Sequence, residues 1–503
     1  MLSKVYAPAL FSLDGRLIEI ECDMANGLPG FVVVGLADKA VEEARERVRS
    51  AIRNSGLILP QKRLTLNLAP ADLPKDGTGY DLGLAVAVLV ASGQLSAESI
   101  RSCLFLGELA LDGTVRPVRG ALLAAQLAQS SAFKRIFVPA ENSMEAALVG
   151  DTLVYPVASL AELYRHLSGG LSITVVSKTT IVPLIAPEAM VDMSSISGQD
   201  MPKRAAEIAA AGGHNLILSG PPGAGKSLLA KAMVGLLPPL EFDEMVEVTR
   251  IYSLAGLNFD GIISRRPFRS PHHTASSVAL IGGGTHPKPG EISLSHRGIL
   301  FLDELPEFPR AVLEVLRQPL EDGSVTVSRA SHASTFPAQF MLVGTRNPCP
   351  CGYAGDSHKK CSCTSGEISR YQHRLSGPFL DRIDLVVEVA RVRTDLLIDK
   401  PAAEPTVLVA ERVGRARDVQ RRRYSSEPDI QLNCQLTPHH IDQYCQLDPA
   451  TKILARTAMN NLGLSARGYS RTLKVARTIA DLAGVQKISR QHFTEALQYR
   501  ARG

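Results

Sequence analysis

No apolar run in this chain is long enough to cross a bilayer. The longest, residues 82–91, is about half of what a membrane helix needs and reads as a buried helix. Residues 1–9 lack the apolar stretch of an export signal. The expectation is therefore a cytoplasmic protein with no membrane partner. Without an export signal the eight cysteines argue for thiols or metal ligation over disulfides. Strong charge of one sign is also missing. A net +5 does not by itself demonstrate a nucleic-acid partner, but residues 391–503 carry 19 Lys and Arg against 11 Asp and Glu, leaving the remainder slightly acidic. Arg415, Arg417, Arg421 and Arg422 fall along one expected helix, a stripe that suits either phosphate backbone or plain solvent.

What is present is ample: 503 residues at 45% hydrophobic content can bury several cores. Composition divides the chain. Residues 1–165 mix alternating strands (31–34, 63–68) with helices such as 40–54, and a Ser/Thr/Pro-rich linker fills 166–197. An α/β core spans 198–392. Beyond the Pro401–Pro405 break, 393–503 reads as a small helical lid.

The core begins with its most informative feature. Gly220, Pro221, Pro222, Gly223, Ala224, Gly225, Lys226 and Ser227 form an unbroken G-x-x-x-x-G-K-S between an apolar strand, 216–218, and a helical run opening at Leu228. Successive backbone N–H groups can wrap a phosphate only where no Cβ blocks the approach, and the helix start presents its positive end to the same anion. The reading is an ATP site in which Lys226 reaches the β and γ oxygens and Ser227 ligates Mg²⁺. A second apolar strand, 298–302, runs into Asp303 and Glu304, suited to the magnesium shell and to the attacking water respectively. Alone, this pair would equally suit an ordinary helix N-cap. A third strand, 341–346, ends at Asn347, the choice for registering the γ-phosphate, with Thr345 in reserve; a turn-forming Asn before Pro348 fits the same geometry. Arg382 and Arg467 are candidates for closing the charge balance, Arg382 from a neighbouring subunit, with solvated surface arginines as the alternative.

Asp303 lies 77 residues after Lys226, more than a sheet crossover needs. The excess includes a glycine- and proline-rich loop, 282–290, with Lys288. A hairpin is expected over 323–338, with Arg329 and His332 near its tip. Both are candidate DNA-facing projections or plain surface loops. His272 and His273, expected on a strand and so on opposite faces, are not read as a metal pair. Cys349, Cys351, Cys361 and Cys363, two C-x-C pairs nine residues apart, would enclose one tetrahedral Zn²⁺. Cys22, Cys103, Cys434 and Cys445 are scattered and read as small core residues.

The succession GPPGAGKS, PGEISLSHRGILFLDELPEF, GTRNPCPCG, SGPFLDRID and LSARGYSRTLKVARTIADLAG, over nearly the whole chain, resembles the YifB/ComM family of magnesium-chelatase-like AAA+ ATPases. The resemblance implies an α/β fold with an AAA+ phosphate-loop parallel sheet, helices on both its faces, and a helical lid. It makes Asn347 the sensor 1 residue, Arg382 the arginine finger and Arg467 the sensor 2 residue. It further implies a hexameric homo-oligomeric ring moving on single-stranded and branched DNA in recombination and natural transformation, as a branch-migration helicase with a recombinase as a candidate partner. Segments 74–81 and 106–113 resemble the Lon protease fold, an α+β domain. Aligned by eye, the serine of the Lon dyad falls on Gly79 and its lysine on Leu122, which leaves no peptidase chemistry. Of three classes of motor, the protease-coupled unfoldase is thereby set aside. A chelatase-type metal-insertion motor would leave the Lon-like domain and the cysteines unexplained, so a DNA motor is the expectation.

Overall fold

The computed structural model describes the chain apart from residues 1, 11–14, 36–38, 72, 74, 76, 151, 177–190, 258–261, 284–287, 329–332, 357, 393–402 and 501–503. Short, wholly apolar runs cannot leave a face to water, so they pair in parallel and are covered on both sides. The order is Phe268–Arg269, Ile299–Leu302, Met341–Arg346, Leu216–Ser219, Leu385–Glu388, every pair parallel. Alternate residues face alternate layers. Leu216, Leu218, Ile299, Phe301 and Val343 pack with the helix Asp200–Gly212 and the lid. Ile217, Leu300, Leu302 and Leu342 pack on the opposite side with Leu305, Phe308, Val312 and Phe336. The carboxyl ends of three central strands thus open side by side, where open α/β sheets place their ligands.

Both expected projections are hairpins: Gly282–Gly283 pairs with Lys288–Pro289, and Ser324–Ser328 with Ala333–Pro337. Lys288 is exposed, while Arg329 and His332 lie outside the described residues. His272 and His273 depart from expectation. The strand ends at Arg269, Pro271 follows, and in the turn beyond it the two rings lie 4.1 Å apart instead of on opposite faces.

The N-terminal residues build a seven-stranded mixed sheet whose order is Gly30–Val34, Arg63–Ala69, Gly15–Ala25, Leu2–Leu10, Cys103–Phe105, Arg135–Pro139, Leu153–Val157. The helix Asp81–Ala91 is buried along its entire length, as its unbroken apolar sequence requires. The domain's contacts continue past residue 165: Ile173 is buried in the cluster that includes this helix, and Val176 bridges to Val154. Gly79 meets Leu106, and Leu122 is fully buried in an apolar cluster. The domain touches the core where Gly120 N donates to Ser253 Oγ (2.9 Å) and Ser253 Oγ donates to Glu145 Oε1 (2.6 Å), on the helix Phe242–Ala255. Among the described residues no helix is long and apolar enough to cross a membrane.

The lid comprises Thr406–Arg423, Pro438–Tyr444, Pro449–Leu462, Ala466–Leu482 and Arg490–Gln498. Its basic stripe is only partly a free surface. Arg417 donates twice to Ala210 O, and nearby Arg412 pairs with Glu207 and Glu404 and Arg423 with Asp481. Arg415 and Arg422 remain exposed, and Arg421, also exposed, pairs with Glu241 at 2.6 Å. Burial disfavours the charged Arg417 guanidinium and lowers its pKa, and the Ala210 carbonyl supplies the hydrogen bonds that it then needs.

Core and lid are fastened through Asp384, whose carboxylate accepts from Asn215 N (3.0 Å) and Arg471 Nη1 (2.6 Å). Burial alone would raise this carboxyl, but Arg471, His214 and Lys474 outweigh it and hold it well below the usual carboxylate range. A carboxyl depressed on folding adds stability above its unfolded value, near pH 4, and loses it as pH falls further. We expect Asp384→Asn to cost about 3–5 kcal/mol near neutrality, because Arg471 is left unpaired. The gap to wild type should narrow below about pH 4 in denaturant titrations; a pH-independent difference would contradict this role.

Candidate functional site

Six residues separate the strand end at Ser219 from the helix that opens at Lys226. Gly223 and Gly225 take φ +77° and +89°, and the space where a Cβ would stand at each is open, so the loop is a cradle of bare backbone. Lys226 folds back across it, donating to Gly220 O (2.5 Å), Pro221 O (2.9 Å) and Asn347 Oδ1 (3.1 Å). Burial lowers its pKa, outweighing the opposing pull of Asp303 and Glu304. A buried ammonium with two carboxylates near it and an open cradle in front suits a polyanion with its counter-cation. Ser227 Oγ donates to Asp303 Oδ2 at 3.1 Å, so hydroxyl and carboxylate converge on one point as a shared magnesium would require.

Thr345 proves to be a support. Buried in its strand, it donates to Asp303 Oδ1 (2.5 Å), and its oxygen accepts from Glu304 N (2.9 Å), fixing both acidic residues. Glu304 is held at φ +54°, ψ +50°, an uncommon backbone for a residue with a Cβ. Both carboxylates are exposed at the strand end. The structure thus brings together Lys226, Ser227, Asp303, Glu304 and Asn347.

Arg382 and Arg467 gather elsewhere. Arg382, read from sequence as offered to a neighbouring subunit, is turned inward: its guanidinium donates to Arg317 O and Pro378 O and lies 2.7 Å from Glu321. Arg467 is exposed, 3.9 Å from the same carboxylate. Glu321 belongs to no motif that the sequence makes legible. It precedes the hairpin that starts at Ser324.

The four cysteines assemble as spaced. Their sulfur atoms all lie within 4.8 Å of one another, with Cys349, Cys351 and Cys361 separated by 3.4, 3.5 and 3.6 Å. These are edges of a small tetrahedron, far from disulfide bonds. Backbone N–H groups of Tyr353 and Ser362 lower the pKa of the Cys351 thiol, while burial and the neighbouring sulfur atoms raise those of Cys361 and Cys363. Cys22, Cys103 and Cys445 are buried, as expected, while Cys434 is half-buried.

Family profiles match three stretches: one described as magnesium chelatase, subunit ChlI, over residues 192–397; subunit ChlI of Mg-chelatase over 20–142; and magnesium chelatase, subunit ChlI C-terminal, over 403–500. Competence protein ComM of Haemophilus influenzae is 44% identical over 506 residues, covering 99% of this chain and 97% of that protein. The uncharacterised protein YifB of Escherichia coli is 43% identical over 504 residues, with the same coverage. The magnesium-chelatase 67 kDa subunit of Chlorobaculum tepidum is 27% identical over 165 residues, 32% of this chain and 24% of that protein.

Gly344 shows how tightly the acidic end is built. A Cβ there would stand 2.2 Å from Leu305 Cδ1 and 2.9 Å from its Cγ, and Leu305 is fully buried directly after Glu304. Gly344→Ala should therefore displace Leu305, cost about 1–3 kcal/mol in chemical denaturation, and disturb Glu304. An unchanged midpoint would show that the strand end has slack.

Proposed function

The chain belongs to the ComM/YifB family of magnesium-chelatase-like AAA+ proteins, and from that premise we propose that it is an ATP-hydrolysing, ring-forming motor that moves branched DNA. The observation that carries the reading is the convergence of Lys226, Ser227, Asp303 and Asn347 at the open end of a parallel sheet. In this reading Lys226 and the loop amides hold the phosphates, and Ser227 and Asp303 hold Mg²⁺. Glu304, aimed by Thr345, takes a proton from the attacking water. Asn347 registers the γ-phosphate. MgATP supplies the anhydride whose hydrolysis drives movement.

Arg382 acts across the subunit interface once released from Glu321, and Arg467 senses nucleotide from the lid. The DNA lies against the two hairpins, through Lys288, Arg329 and His332, by backbone contact that ignores sequence. One relative is a competence protein. We carry that setting to this chain as strand exchange in recombination, by a hexameric ring with a recombinase as partner. The four cysteines hold one zinc, since bonds of about 2.3 Å give a tetrahedral edge of about 3.8 Å, near the sulfur separations in the cluster.

Glu304→Gln should keep nucleotide affinity and lower turnover by about 10²- to 10⁴-fold, whereas Lys226→Ala should weaken binding itself. Equal loss of affinity in both would refute the assigned roles. Wild type should resolve labelled forked and four-stranded junctions only with ATP, with a steep salt dependence that lessens in Lys288→Ala. Active ATP hydrolysis that leaves every junction intact would overturn the DNA motor, and stimulation only by a porphyrin-binding partner would favour metal insertion.

A further inference from the structure

The cysteine knuckle leans on the phosphate loop. Gly352, directly after Cys351, takes φ +85°, and a Cβ there would lie 2.7 Å from Pro222 Cδ and 3.2 Å from its Cγ. Knuckle backbone therefore touches the phosphate-loop proline with no side chain between them. Upstream, Pro348 alone separates Cys349 from Asn347, whose Oδ1 accepts from Lys226. Downstream, Thr364 follows Cys363 and caps the helix Ser365–Gln372 in a reciprocal pair with Glu367. That helix returns to the start of the knuckle, since Gln372 Nε2 donates to Pro348 O at 3.3 Å. Within the knuckle, Asp356 lies 3.6 Å from Arg391, just beyond the strand Leu385–Glu388 that flanks the phosphate-loop strand. So short a segment has no core of its own; besides the turn at Asp356, which accepts from His358 N and Lys359 N, its inward feature is the convergence of four sulfur atoms. Nothing in nucleotide hydrolysis calls for those thiols, yet the knuckle's contacts lead to the phosphate loop, the sensor and the adjoining strand.

We propose that zinc on Cys349, Cys351, Cys361 and Cys363 is a strut of the ATP site, so that metal occupancy and nucleotide binding are linked through the Gly352–Pro222 contact and through Asn347. The inference rests on the reading of Lys226 and Asn347 as nucleotide-binding. Linkage is reciprocal: whatever factor zinc adds to nucleotide affinity, nucleotide adds to zinc retention. Loss of the metal, whether to a chelator or to oxidation of the thiols, then weakens nucleotide binding while Lys226 is untouched. A knuckle serving only as a docking platform for another protein would show no such linkage.

The test uses the purified full-length protein. Binding of a fluorescent ADP is titrated first, and zinc release to a colorimetric chelator is then followed with and without saturating Mg·ADP. Expected are about one zinc per chain and release slowed within the roughly 5- to 150-fold range of coupled sites when ADP is bound. Gly352→Ala, which keeps all four thiols, should retain zinc, weaken ADP binding and lose most of the protection. Pro222→Ala, which removes the contact from the other side, should do the same if Gly352→Ala proves unstable. ADP binding with identical release rates in both conditions would overturn the strut and leave the ATP site standing. A zinc content near zero would overturn the metal. Failure to bind ADP at all would overturn the ATP reading, and with it this inference.

Discussion

Lys226 meets Asn347 because two buried strands run parallel in one register. Leu216 lies opposite Val343 and Ser219 opposite Arg346, so the first strand hands its chain to the phosphate loop where the second delivers Asn347. Gly220 N donates to Arg346 O at 3.1 Å, tying the loop to that strand end. The neighbouring pair sets Leu302 opposite Gly344, which brings Thr345 beside Asp303 and Glu304. A slip of one residue would turn Thr345 to the other face of the sheet and leave Asp303 and Glu304 without their hydroxyl. The register is itself protected, since it is the one that buries Leu216, Leu218, Leu342 and Val343 on their proper sides.

Charge plays a different part from the one its distribution suggests. Much of the basic excess near the C-terminus is spent inside the chain: Arg412 on Glu207 and Glu404, Arg423 and Arg477 on Asp481, Arg471 on Asp384, Lys474 on Cys434 O. These contacts bolt the lid to the core and to itself. The lid therefore offers a polyanion less free positive charge than its composition implies, and the proposed DNA contact falls to the hairpins of the core.

What could be read beforehand was whatever depends on short-range pattern. The apolar runs became the central strands and the glycine loop became the cradle, because each is set by residues within a few positions of one another, and the two C-x-C pairs gathered four sulfur atoms across a loop of only nine residues. Side-chain destinations across long separations were not legible. Arg417 resembles Arg421 in the sequence, and only the packing of its helix on Asp200–Gly212 directs it to Ala210 O. The Thr345 hydroxyl meets Asp303 and Glu304 from the neighbouring strand, a pairing that its own segment does not reveal. Gly352 and Pro222, 130 residues apart, meet only once the sheet has formed. The turn at Pro271 broke the strand alternation assumed for His272 and His273.

Glu321 joins these threads. It lies three residues before the first hairpin strand, Ser324–Ser328, takes the guanidinium of Arg382 at 2.7 Å and lies 3.9 Å from Arg467 on the lid. Arg382 also donates to two backbone carbonyls, so turning it outward gives up three partners at once, a loss that a newly offered anion would offset. A phosphate presented by a neighbouring subunit is an anion of that kind. Under the proposed trans role, the exchange of Glu321 for phosphate frees a carboxylate at the root of the hairpin. In that reading an event at one subunit's nucleotide would reach the root of the hairpin proposed for DNA in the next through the side chain of Glu321.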